Sequence, residues 1–295
     1  MIINQIIGGL GNQMFQYAAG RALSILHNVP VKLEISQFNG YRLHNGFELD
    51  RVFSCPITFA YFSDIHSVLG YQSPRIVRRV ISRPSFEKYR SHRFIREPHF
   101  HYWEKFWELP SFVYLSGYWQ SERYFSDFED IIRSDFCFQR PMNKLNYAIS
   151  ILINNTNAVS LHVRRGDYAW DKETYSVHGL CSIDYYLAAI QYIMERVDDP
   201  HFFVFSDDLD WVKSYLYIPG KVTYVDHNKG PESYNDMRLM SLCKHHIIAN
   251  SSFSWWGAWL ANKPQKIVIA PTFDKRYGIN SWGFEGLIPD NWLKV

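Results

Sequence analysis

Cysteine is scarce in this chain, and its spacing is uninformative. The 295 residues include four cysteines, none of them in a CxxC pair or another spacing typical of metal ligands: Cys55, Cys137, Cys181 and Cys243. This pattern excludes a disulfide miniprotein and a cysteine-based zinc module, and we expect reduced, buried thiols.

Long apolar runs are also missing. No stretch approaches the roughly 20 apolar residues of a membrane-spanning helix. The chain enters a strand pattern at once, without a basic leader or a cleavage site. We therefore expect a soluble cytoplasmic protein, peripheral at the inner face of the membrane if it contacts lipid at all.

Neither sign of charge is in excess. The chain has 31 basic and 29 acidic residues, a net charge of +2, so it does not resemble a protein that grips nucleic-acid phosphates. A local cluster of basic residues must therefore bind any phosphate group of a ligand. Aromatic residues, in contrast, make up 17% of the chain, and 47% of it is hydrophobic. Disordered and coiled-coil classes are excluded.

The second half alternates short apolar runs with helical patterns. Strands are predicted at 157–163, 201–205, 221–225, 246–249 and 266–270, with helices at 183–197, from 209, at 232–243 and at 255–261. This alternation favours a doubly wound parallel sheet.

The first half begins in the same way. It has a strand at 3–7, a helix at 12–27 and a strand at 31–35, then a blurred pattern with a strand at 112–116 and a capping box of Ser126 and Glu129. We predict an N-terminal α/β domain over 1–145 and a C-terminal one over 146–295, with a linker near 140–157.

Ligands of such sheets bind at the carboxyl ends of the strands. After the first strand, the loop Gly8–Gln13 leads into a helix, where amides and the helix dipole favour an anionic ligand. A dinucleotide fingerprint, supported by Glu34, is one interpretation. The G-x-G-x-x-G frame ends on Met14, so a tight turn is the alternative.

Two adjacent arginines follow the strand at 157–163. Arg164, Arg165, Gly166 and Asp167 leave its carboxyl end, and guanidinium groups bind phosphate oxygens in bidentate fashion. This pattern predicts a pyrophosphate site, with a structural arginine–aspartate pair as the alternative. His162, inside the strand, is either a core histidine or part of that site.

The next strand ends in acidic residues. Asp208 and Asp210 form a DxD, which holds a divalent metal in one class of glycosyltransferases. Both residues also fall where a helix N-terminus favours acids, and we favour that capping role. His99 with His101, and His245 with His246, show no third ligand, so we predict no metal site.

A polar turn, NSSFSWW, follows the strand at 246–249. Its hydroxyl residues stand at a predicted helix N-terminus and suit phosphate oxygens, with plain helix capping as the alternative. Phe253, Trp255 and Trp256 either contact a sugar or base or pack the helix on the sheet.

The segment 75–96 is basic, with eight basic residues and one acidic residue, Glu87. We interpret it as a solvated helix face. Attraction to an anionic membrane or to a lipid-linked acceptor is the alternative.

Four motifs in order carry a family resemblance. They are GGLGNQMFQYAAGRAL (8–23), LHVRRGDY (161–168), FVFSDD (203–208) and YNDMRLMSLCKHHIIANSSFSWWGAWLA (234–261). With VYLSGYWQSERYF (113–125), they make the sequence similar to the bacterial α-1,2-fucosyltransferases of glycosyltransferase family 11, over nearly the whole chain.

The resemblance implies a GT-B fold, with two Rossmann-like doubly wound domains facing a central cleft. It also implies GDP-β-L-fucose as donor, inversion at the anomeric carbon, no metal or other cofactor, and transfer to the 2-hydroxyl of a terminal β-galactoside on an oligosaccharide or lipid-linked glycan. The activity would serve O-antigen or capsule biosynthesis.

Carried onto this sequence, the resemblance names Arg164, Arg165, Asp167 and Asn12 as candidate catalytic residues. The two arginines would neutralise the leaving pyrophosphate, while Asp167 braces them or accepts a proton and Asn12 orients a hydroxyl. No residue stands out as the base. The predicted donor-binding set is Gly9, Gly11, Asn12, Gln13, His162, Arg164, Arg165, Asp207, Asp208, Asn250, Ser251, Ser252 and Phe253, with Asp207 and Asp208 as guanine partners.

The aromatic excess is concentrated between Phe86 and Phe125. Because rings pack on sugar C–H groups, we expect an acceptor site there, formed by Tyr102, Trp103, Trp107, Tyr118 and Trp119. A non-catalytic lectin, a metal-dependent GT-A transferase using Asp208 and Asp210, and a nicotinamide oxidoreductase are the competing interpretations.

Overall fold

The computed structural model describes residues 1–40, 44–166, 180–272 and 284–295. The chain divides into two compact units, one formed by Met1–Gln139 with Glu285–Leu287 and the other by Arg140–Phe284 with Ile288–Val295. No helix in the described part of the chain is both long enough and apolar enough to cross a membrane.

The first unit is built on a parallel sheet. Its strands are β1 (Ile2–Gln5), β2 (Val31–Glu34), β3 (Phe94–Arg96) and β4 (Val113–Ser116), in the order β2-β1-β4-β3. Its helices are α1 (Leu10–Leu26), α2 (Leu49–Val52), α3 (Phe62–Leu69), α4 (Arg75–Ile81) and α5 (Glu129–Asp135), with short 3₁₀ turns between them. In register, Ile2 pairs with Val31 on one side and Val113 on the other, and Phe94 pairs with Tyr114.

The second unit also carries a parallel sheet, with order β10-β9-β8-β5-β6-β7. The strands are β5 (Asn157–Val163), β6 (Pro200–Ser206), β7 (Lys221–Val225), β8 (His245–Ile247), β9 (Val268–Ala270) and β10 (Leu293–Lys294). The helices are α6 (Lys144–Asn154), α7 (Ile183–Met194), α8 (Leu209–Tyr215), α9 (Tyr234–Leu242) and α10 (Ser252–Leu260). The core lies on both faces of the central strands, where Val159, Leu161, Phe202 and Val204 are fully buried.

The alternating pattern predicted the second unit well, but two local predictions were wrong. The segment predicted as a linker near 140–157 contains α6, because the Asn143 side chain caps the helix by accepting a hydrogen bond from the Asn146 N–H. The Ser126–Glu129 capping box does not form, since Ser126 begins a 3₁₀ turn and α5 starts at Glu129 without a side-chain cap.

The basic segment 75–96 is only partly a solvated face. Arg78 is 6% exposed, and its guanidinium lies 3.4 Å from the carboxylate of Glu34 and over the ring of Tyr114. Glu34 is itself 1% exposed and accepts a hydrogen bond from the Tyr114 hydroxyl. Because its carboxylate is used inside the core, Glu34 is not the ribose-binding acid of a dinucleotide fingerprint.

All four cysteines are free thiols. Cys181 and Cys243 are buried, as expected, whereas Cys55 is half-buried and Cys137 is exposed.

Candidate active site

The register of the second sheet brings its loops together. Strand β5 pairs with β6 along its whole length, ending at Val163 opposite Ser206, and pairs with β8 on its other side. Parallel strands end at the same edge, so the segments after Val163, Ser206 and Ile247 meet there.

Arg164 is held by an acid that directly follows the neighbouring strand β6. Its Nη1 lies 2.9 Å from Oδ2 of Asp207. The other oxygen of that carboxylate accepts a hydrogen bond from the main-chain N–H of Arg165 at 2.8 Å. The carboxylate therefore fixes both the Arg164 side chain and the backbone that follows it.

Gly166 makes this close approach possible. A Cβ built on Gly166 would lie 2.5 Å from Oδ2 of Asp207, closer than real Cβ contacts come. A side chain at this position would push the carboxylate away from Arg164.

Arg165 is held separately. Its Nε lies 3.4 Å from Oδ2 of Asp208, and its guanidinium lies over the Trp211 ring at 3.9 Å from the centroid. A guanidinium at this distance gains cation–π stabilisation. The side chains of Arg164 and Arg165 remain 28% and 20% exposed, so both charges are anchored and still reach solvent.

The first aspartate of the DxD has the capping role that the sequence favoured. Asp208 caps α8, since its Oδ1 accepts a hydrogen bond from the Trp211 N–H at 3.1 Å. Asp210 is exposed in the first turn of the helix. Within the described ranges, no three His, Cys, Asp or Glu side chains are grouped as a metal ion would require.

His162 sits beneath the arginines. It is 8% exposed, and its Nδ1 is buried without a hydrogen-bond partner among the described residues. Burial lowers the pKa of this imidazole to about 4; Asp207 opposes the shift and Arg164 adds to it. The ring is thus neutral at pH 7, with the Phe253 ring 6.1 Å away.

The polar turn after β8 becomes the start of α10. Ser251 caps the helix by accepting a hydrogen bond from the Phe253 N–H at 3.3 Å, while Ser252 and Phe253 are half-buried. Asn250 is buried, and its Oδ1 accepts from the Cys181 thiol at 3.4 Å.

The tryptophans of this helix are core residues. Trp255 and Trp256 are 0% exposed and Trp259 is 3% exposed, and their rings pack on one another. Of the two interpretations of Trp255 and Trp256, contact with a sugar or base and packing, their complete burial supports packing.

The glycine-rich loop of the first unit is partly a structural turn. Gly8 has φ +80°, and Gly9 stands at the N-terminus of α1. Gln13 is fully buried, and its amide donates to the carbonyls of Gly8 and Gly46 at 2.9 and 2.8 Å. Gln13 was therefore wrongly predicted to bind donor, and Gly11 is likewise buried within α1.

Asn12 remains a candidate functional residue. It is half-buried, and its Oδ1 accepts a hydrogen bond from Nε2 of Gln120 at 2.8 Å. Gln120 follows β4, so this hydrogen bond joins the loop after β4 to the first turn of α1.

The predicted acceptor aromatics separate into two groups. Trp119 is 0% exposed and packs against Phe106 and Tyr124, with ring centroids 5.2 and 5.6 Å apart, so its acceptor assignment was wrong. The other four side chains are half-buried: Tyr102, Trp103, Trp107 and Tyr118. Among them, the Trp107 indole donates to the Tyr102 hydroxyl at 3.1 Å.

Sequence reasoning missed two carboxyl groups that also follow strands. Glu97 comes directly after β3, a strand in the blurred region of the pattern. Asp236 lies in the first turn of α9, where Oδ1 accepts from the Asn228 amide at 2.7 Å. Burial raises the pKa of each to about 7, against the hydrogen bonds it accepts. Asp167 falls outside the described residues.

The sequence is similar to that of several known glycosyltransferases. Residues 72–280 match glycosyl transferase family 11. An α-1,2-colitosyltransferase from Escherichia coli is 38% identical over 100% of this chain and 99% of its own length. The O-antigen biosynthesis glycosyltransferase WbnK of Escherichia coli is 32% identical over 90% of this chain and 91% of its own. Human galactoside α-(1,2)-fucosyltransferase 1 is 25% identical over 86% of this chain and 64% of its own.

Solved structures show the same fold. The NodZ α-1,6-fucosyltransferase soaked with GDP-fucose aligns with a TM-score of 0.53 at 14% identity, covering 94% of this chain and 96% of its own. A mutant of Arabidopsis thaliana FUT1 in complex with GDP aligns at 0.50 and 14% identity, covering 93% and 71%. The α/β, GT-B-like class predicted from the sequence is confirmed. By the extent of the family match and the 38% identity to a full-length relative, this chain belongs to glycosyltransferase family 11.

Proposed function

We propose that this glycosyltransferase moves L-fucose from GDP-β-L-fucose to the 2-hydroxyl of a terminal β-galactoside, with inversion at the anomeric carbon. The observation that carries the proposal is the pair Arg164 and Arg165. Each guanidinium is anchored by its own carboxylate at the carboxyl edge of the second sheet, and each still reaches solvent.

This pair suits a leaving nucleoside diphosphate. When the C1–O bond to the β-phosphate breaks, negative charge grows on the departing GDP. Donors fixed in advance stabilise such charge without reorganisation during the reaction. Asp207 and Asp208 already hold the guanidinium groups in place, so little ordering remains for the bound state.

Other residues have supporting roles in the proposal. The first-turn amides of α10, next to Ser251 and Ser252, add partial positive charge for phosphate oxygens. Asn12 orients a sugar hydroxyl. The contact of Asp207 and Asp208 with guanine stays a prediction; in this structure both carboxylates bind arginine.

The neutral His162 belongs to the same proposed donor site. Its imidazole is neutral and its Nδ1 is buried, so the ring adds no positive charge beside the two arginines.

Colitose is a second candidate sugar. The full-length relative at 38% identity is named for colitose transfer, while the named fucosyltransferases match at 24–25% identity. Colitose is L-fucose without the 3-hydroxyl, so the two donors share the nucleotide and the anomeric chemistry. Only the pocket around the sugar distinguishes them.

A two-by-two assay tests the proposal. Purified protein is given GDP-β-L-fucose or GDP-β-L-colitose with a β-galactoside or a β-glucoside, and product linkage is determined by NMR. We expect an α-1,2-linked L-fucosyl galactoside and a lower kcat/KM with the colitose donor. A higher kcat/KM with the colitose donor would instead support colitose transfer as the activity of this protein. Absence of product with either donor, together with no change in melting temperature on adding GDP, would refute both and favour a lectin.

We propose that the reaction needs no metal, as the paired arginines supply the charge that a divalent ion supplies in other glycosyltransferases. Full transfer in excess EDTA is the expected result, and loss of activity restored by Mg²⁺ or Mn²⁺ would contradict it.

A further inference from the structure

The two arginines that follow β5 are anchored by different means. Arg164 binds the Asp207 carboxylate through Nη1 at 2.9 Å, whereas Arg165 reaches the Asp208 carboxylate through Nε at 3.4 Å. Hydrogen bonds between a guanidinium and a carboxylate are usually about 2.7 to 2.9 Å long, so the contact with Asp208 holds Arg165 only weakly. The position of the Arg165 side chain therefore depends on a second contact.

That second contact is with the indole of Trp211. The guanidinium carbon of Arg165 lies 3.9 Å from the centroid of this ring, well inside the roughly 6 Å over which a cation is attracted to an aromatic face. The N–H groups of a guanidinium point outward in its own plane. A ring that covers the face of the guanidinium therefore does not block them.

Trp211 is itself a fixed support. It is the third residue of α8, and its main-chain N–H donates to Oδ1 of Asp208, the N-cap of the helix, at 3.1 Å. The half-buried indole packs against the hydrophobic core of the second unit. The Tyr215 ring, one helical turn further on, packs against it with the centroids 5.6 Å apart. The ring thus has little freedom to move away from Arg165.

Asp208 connects the two partners. Its Oδ1 accepts from the Trp211 N–H, and its Oδ2 accepts from Nε of Arg165. Three contacts therefore close on one another: carboxylate to guanidinium, guanidinium to ring, and the main chain of the ring residue to the carboxylate. We call these three residues, Arg165, Asp208 and Trp211, the Arg165 clamp. All of them belong to the second unit.

The clamp leaves the terminal nitrogens of Arg165 available. In the part of the chain that the structure describes, the side-chain hydrogen bond and the ion pair of Arg165 both use Nε, and neither Nη1 nor Nη2 has a partner. The side chain is 20% exposed, so these nitrogens can meet a ligand from solvent. Two parallel N–H groups of this kind match the oxygens of a phosphate group in bidentate fashion.

We propose that Trp211 is a positioning residue for the sugar nucleotide: it holds Arg165 by a cation–π contact, so that the terminal N–H groups of Arg165 bind the donor pyrophosphate. The inference rests on the proposed function and adds to it a residue that the sequence motifs do not include. A free arginine side chain loses rotamer freedom when it binds a ligand. In the clamp that loss occurs on folding, so it does not weaken donor binding.

The test removes the ring from the full-length protein. The GDP Kd is measured by calorimetry, and kcat and both KM values are measured for the transfer reaction. We expect Trp211→Leu to raise the GDP Kd about 3- to 10-fold. It should also lower kcat about 10-fold, because the guanidinium is no longer held in place, and leave the acceptor KM unchanged. Trp211→Phe, which keeps an aromatic face, should recover most of both losses.

Tyr217→Leu is the matched control. It removes another ring close to the end of α8, but this side chain is 78% exposed and lies outside the clamp. We expect its GDP Kd and kcat to equal those of the wild type. A wild-type GDP Kd and kcat in Trp211→Leu as well would overturn the inference.

A double-mutant cycle distinguishes positioning of Arg165 from packing of α8. If Trp211 acts through Arg165, then Trp211→Leu raises the GDP Kd no further in an Arg165→Ala background. If Trp211 only packs the helix, the GDP Kd rises by the same factor in both backgrounds. That second result would overturn the inference.

Fluorinated tryptophans at position 211 decide the question if Trp211→Leu fails to fold. Fluorine withdraws electron density from the ring face and weakens its attraction for a cation, while the shape of the ring is nearly preserved. The GDP Kd should rise stepwise with the number of fluorine atoms. A GDP Kd that does not change with fluorination would overturn the inference.

Failure of the proposed function gives a separate result. In that case the wild-type protein itself binds no GDP and makes no transfer product. A wild type that binds GDP and transfers the sugar, with Trp211 variants that do the same equally well, overturns only the role of Trp211.

Discussion

The carboxylate of Asp207 lies 2.9 Å from the guanidinium of Arg164 and also accepts the main-chain N–H of Arg165. One acid directly after β6 therefore positions the two consecutive residues that follow β5. We place the Arg164 guanidinium on the leaving phosphate, whereas the Asp207 carboxylate fixes the direction of that guanidinium. Substitutions can therefore test the two residues separately.

Replacing Arg164 by alanine removes a charge that we place on the pyrophosphate. We expect kcat to fall by about 10² to 10³, with a smaller rise in donor KM. Arg196→Ala is the matched control, because Arg196 is an exposed arginine of the same unit whose contacts are local, with the carboxylate of Glu195 at 3.0 Å and with the ring and carbonyl of Tyr192. Near-normal transfer by the Arg164 variant would remove the arginine from the mechanism.

Gly166→Ala tests the positioning by Asp207. Because the new Cβ would lie 2.5 Å from the Asp207 carboxylate, the acid must move, and kcat/KM should fall by about 10-fold to 10². The same change in an Asp207→Ala background should have little further effect, since its target is gone. Additive losses in the double variant would show that Gly166 acts by another route.

The buried neutral His162 makes stability depend on pH. Its pKa is about 4 in the folded chain and about 6.5 when unfolded. The unfolded state therefore binds more protons between these values, and stability falls as pH drops through this window.

The raised pKa values of Glu97 and Asp236 change the free energy of unfolding in the opposite direction over part of this pH range. The measurement must therefore compare the wild type with a His162 variant. Between pH 7 and 5.5, urea unfolding should show the wild type losing about 1 kcal/mol more than His162→Asn. Equal losses would mean that the pKa of His162 is not lowered in the folded protein.

Two tryptophans of the aromatic segment should respond differently to substitution. Trp119→Phe removes part of a fully buried side chain and should lower the free energy of unfolding by about 1–3 kcal/mol, without changing the acceptor KM of the folded protein. Trp107→Ala exposes a half-buried position and should raise acceptor KM by up to about 10-fold. An unchanged acceptor KM in the Trp107 variant would show that this ring has only a packing role.

The outward face of α4 carries alternating basic and apolar side chains: Arg75, Ile76, Arg79 and Val80 are all exposed, Ile76 by 79%. We predict binding to vesicles containing anionic phosphatidylglycerol but not to neutral phosphatidylcholine vesicles, measured by cosedimentation. Binding should weaken in Arg79→Gln and Ile76→Ser and at high salt, and persist in Ile151→Ser, a control in the second unit that is 46% exposed. Equal sedimentation with both vesicle types would refute the prediction.

Prediction of secondary structure from the sequence was most accurate in the second unit, where strands and helices alternate regularly. β5 was predicted with its observed bounds, and the edge where Arg164, Asp207 and Ser251 meet followed from the rule that parallel strands share a carboxyl end. The contacts between neighbouring strand ends could not be predicted, because nothing in the local pattern shows that the Asp207 carboxylate binds the Arg164 guanidinium.

The first unit was harder because its strands are short and its connections irregular. β3 spans three residues, too few for a period, so Glu97 at its end drew no notice. Burial of single rings and amides is also a tertiary property. Tryptophan and glutamine are residue types that often contact ligands. Only the packing shows that Trp119 and Gln13 are both fully buried.

Residues 285–287 belong to the first unit, where the Glu285 carbonyl accepts the Tyr102 N–H at 2.9 Å and Gly286, at φ +87°, lies against the side chains of Tyr102 and Ser121. During synthesis the ribosome makes the strands β5 to β9 before it reaches this segment. The first unit therefore cannot acquire these hydrogen bonds until residues 285–287 have been translated, and a fragment ending at residue 139 would lack them permanently.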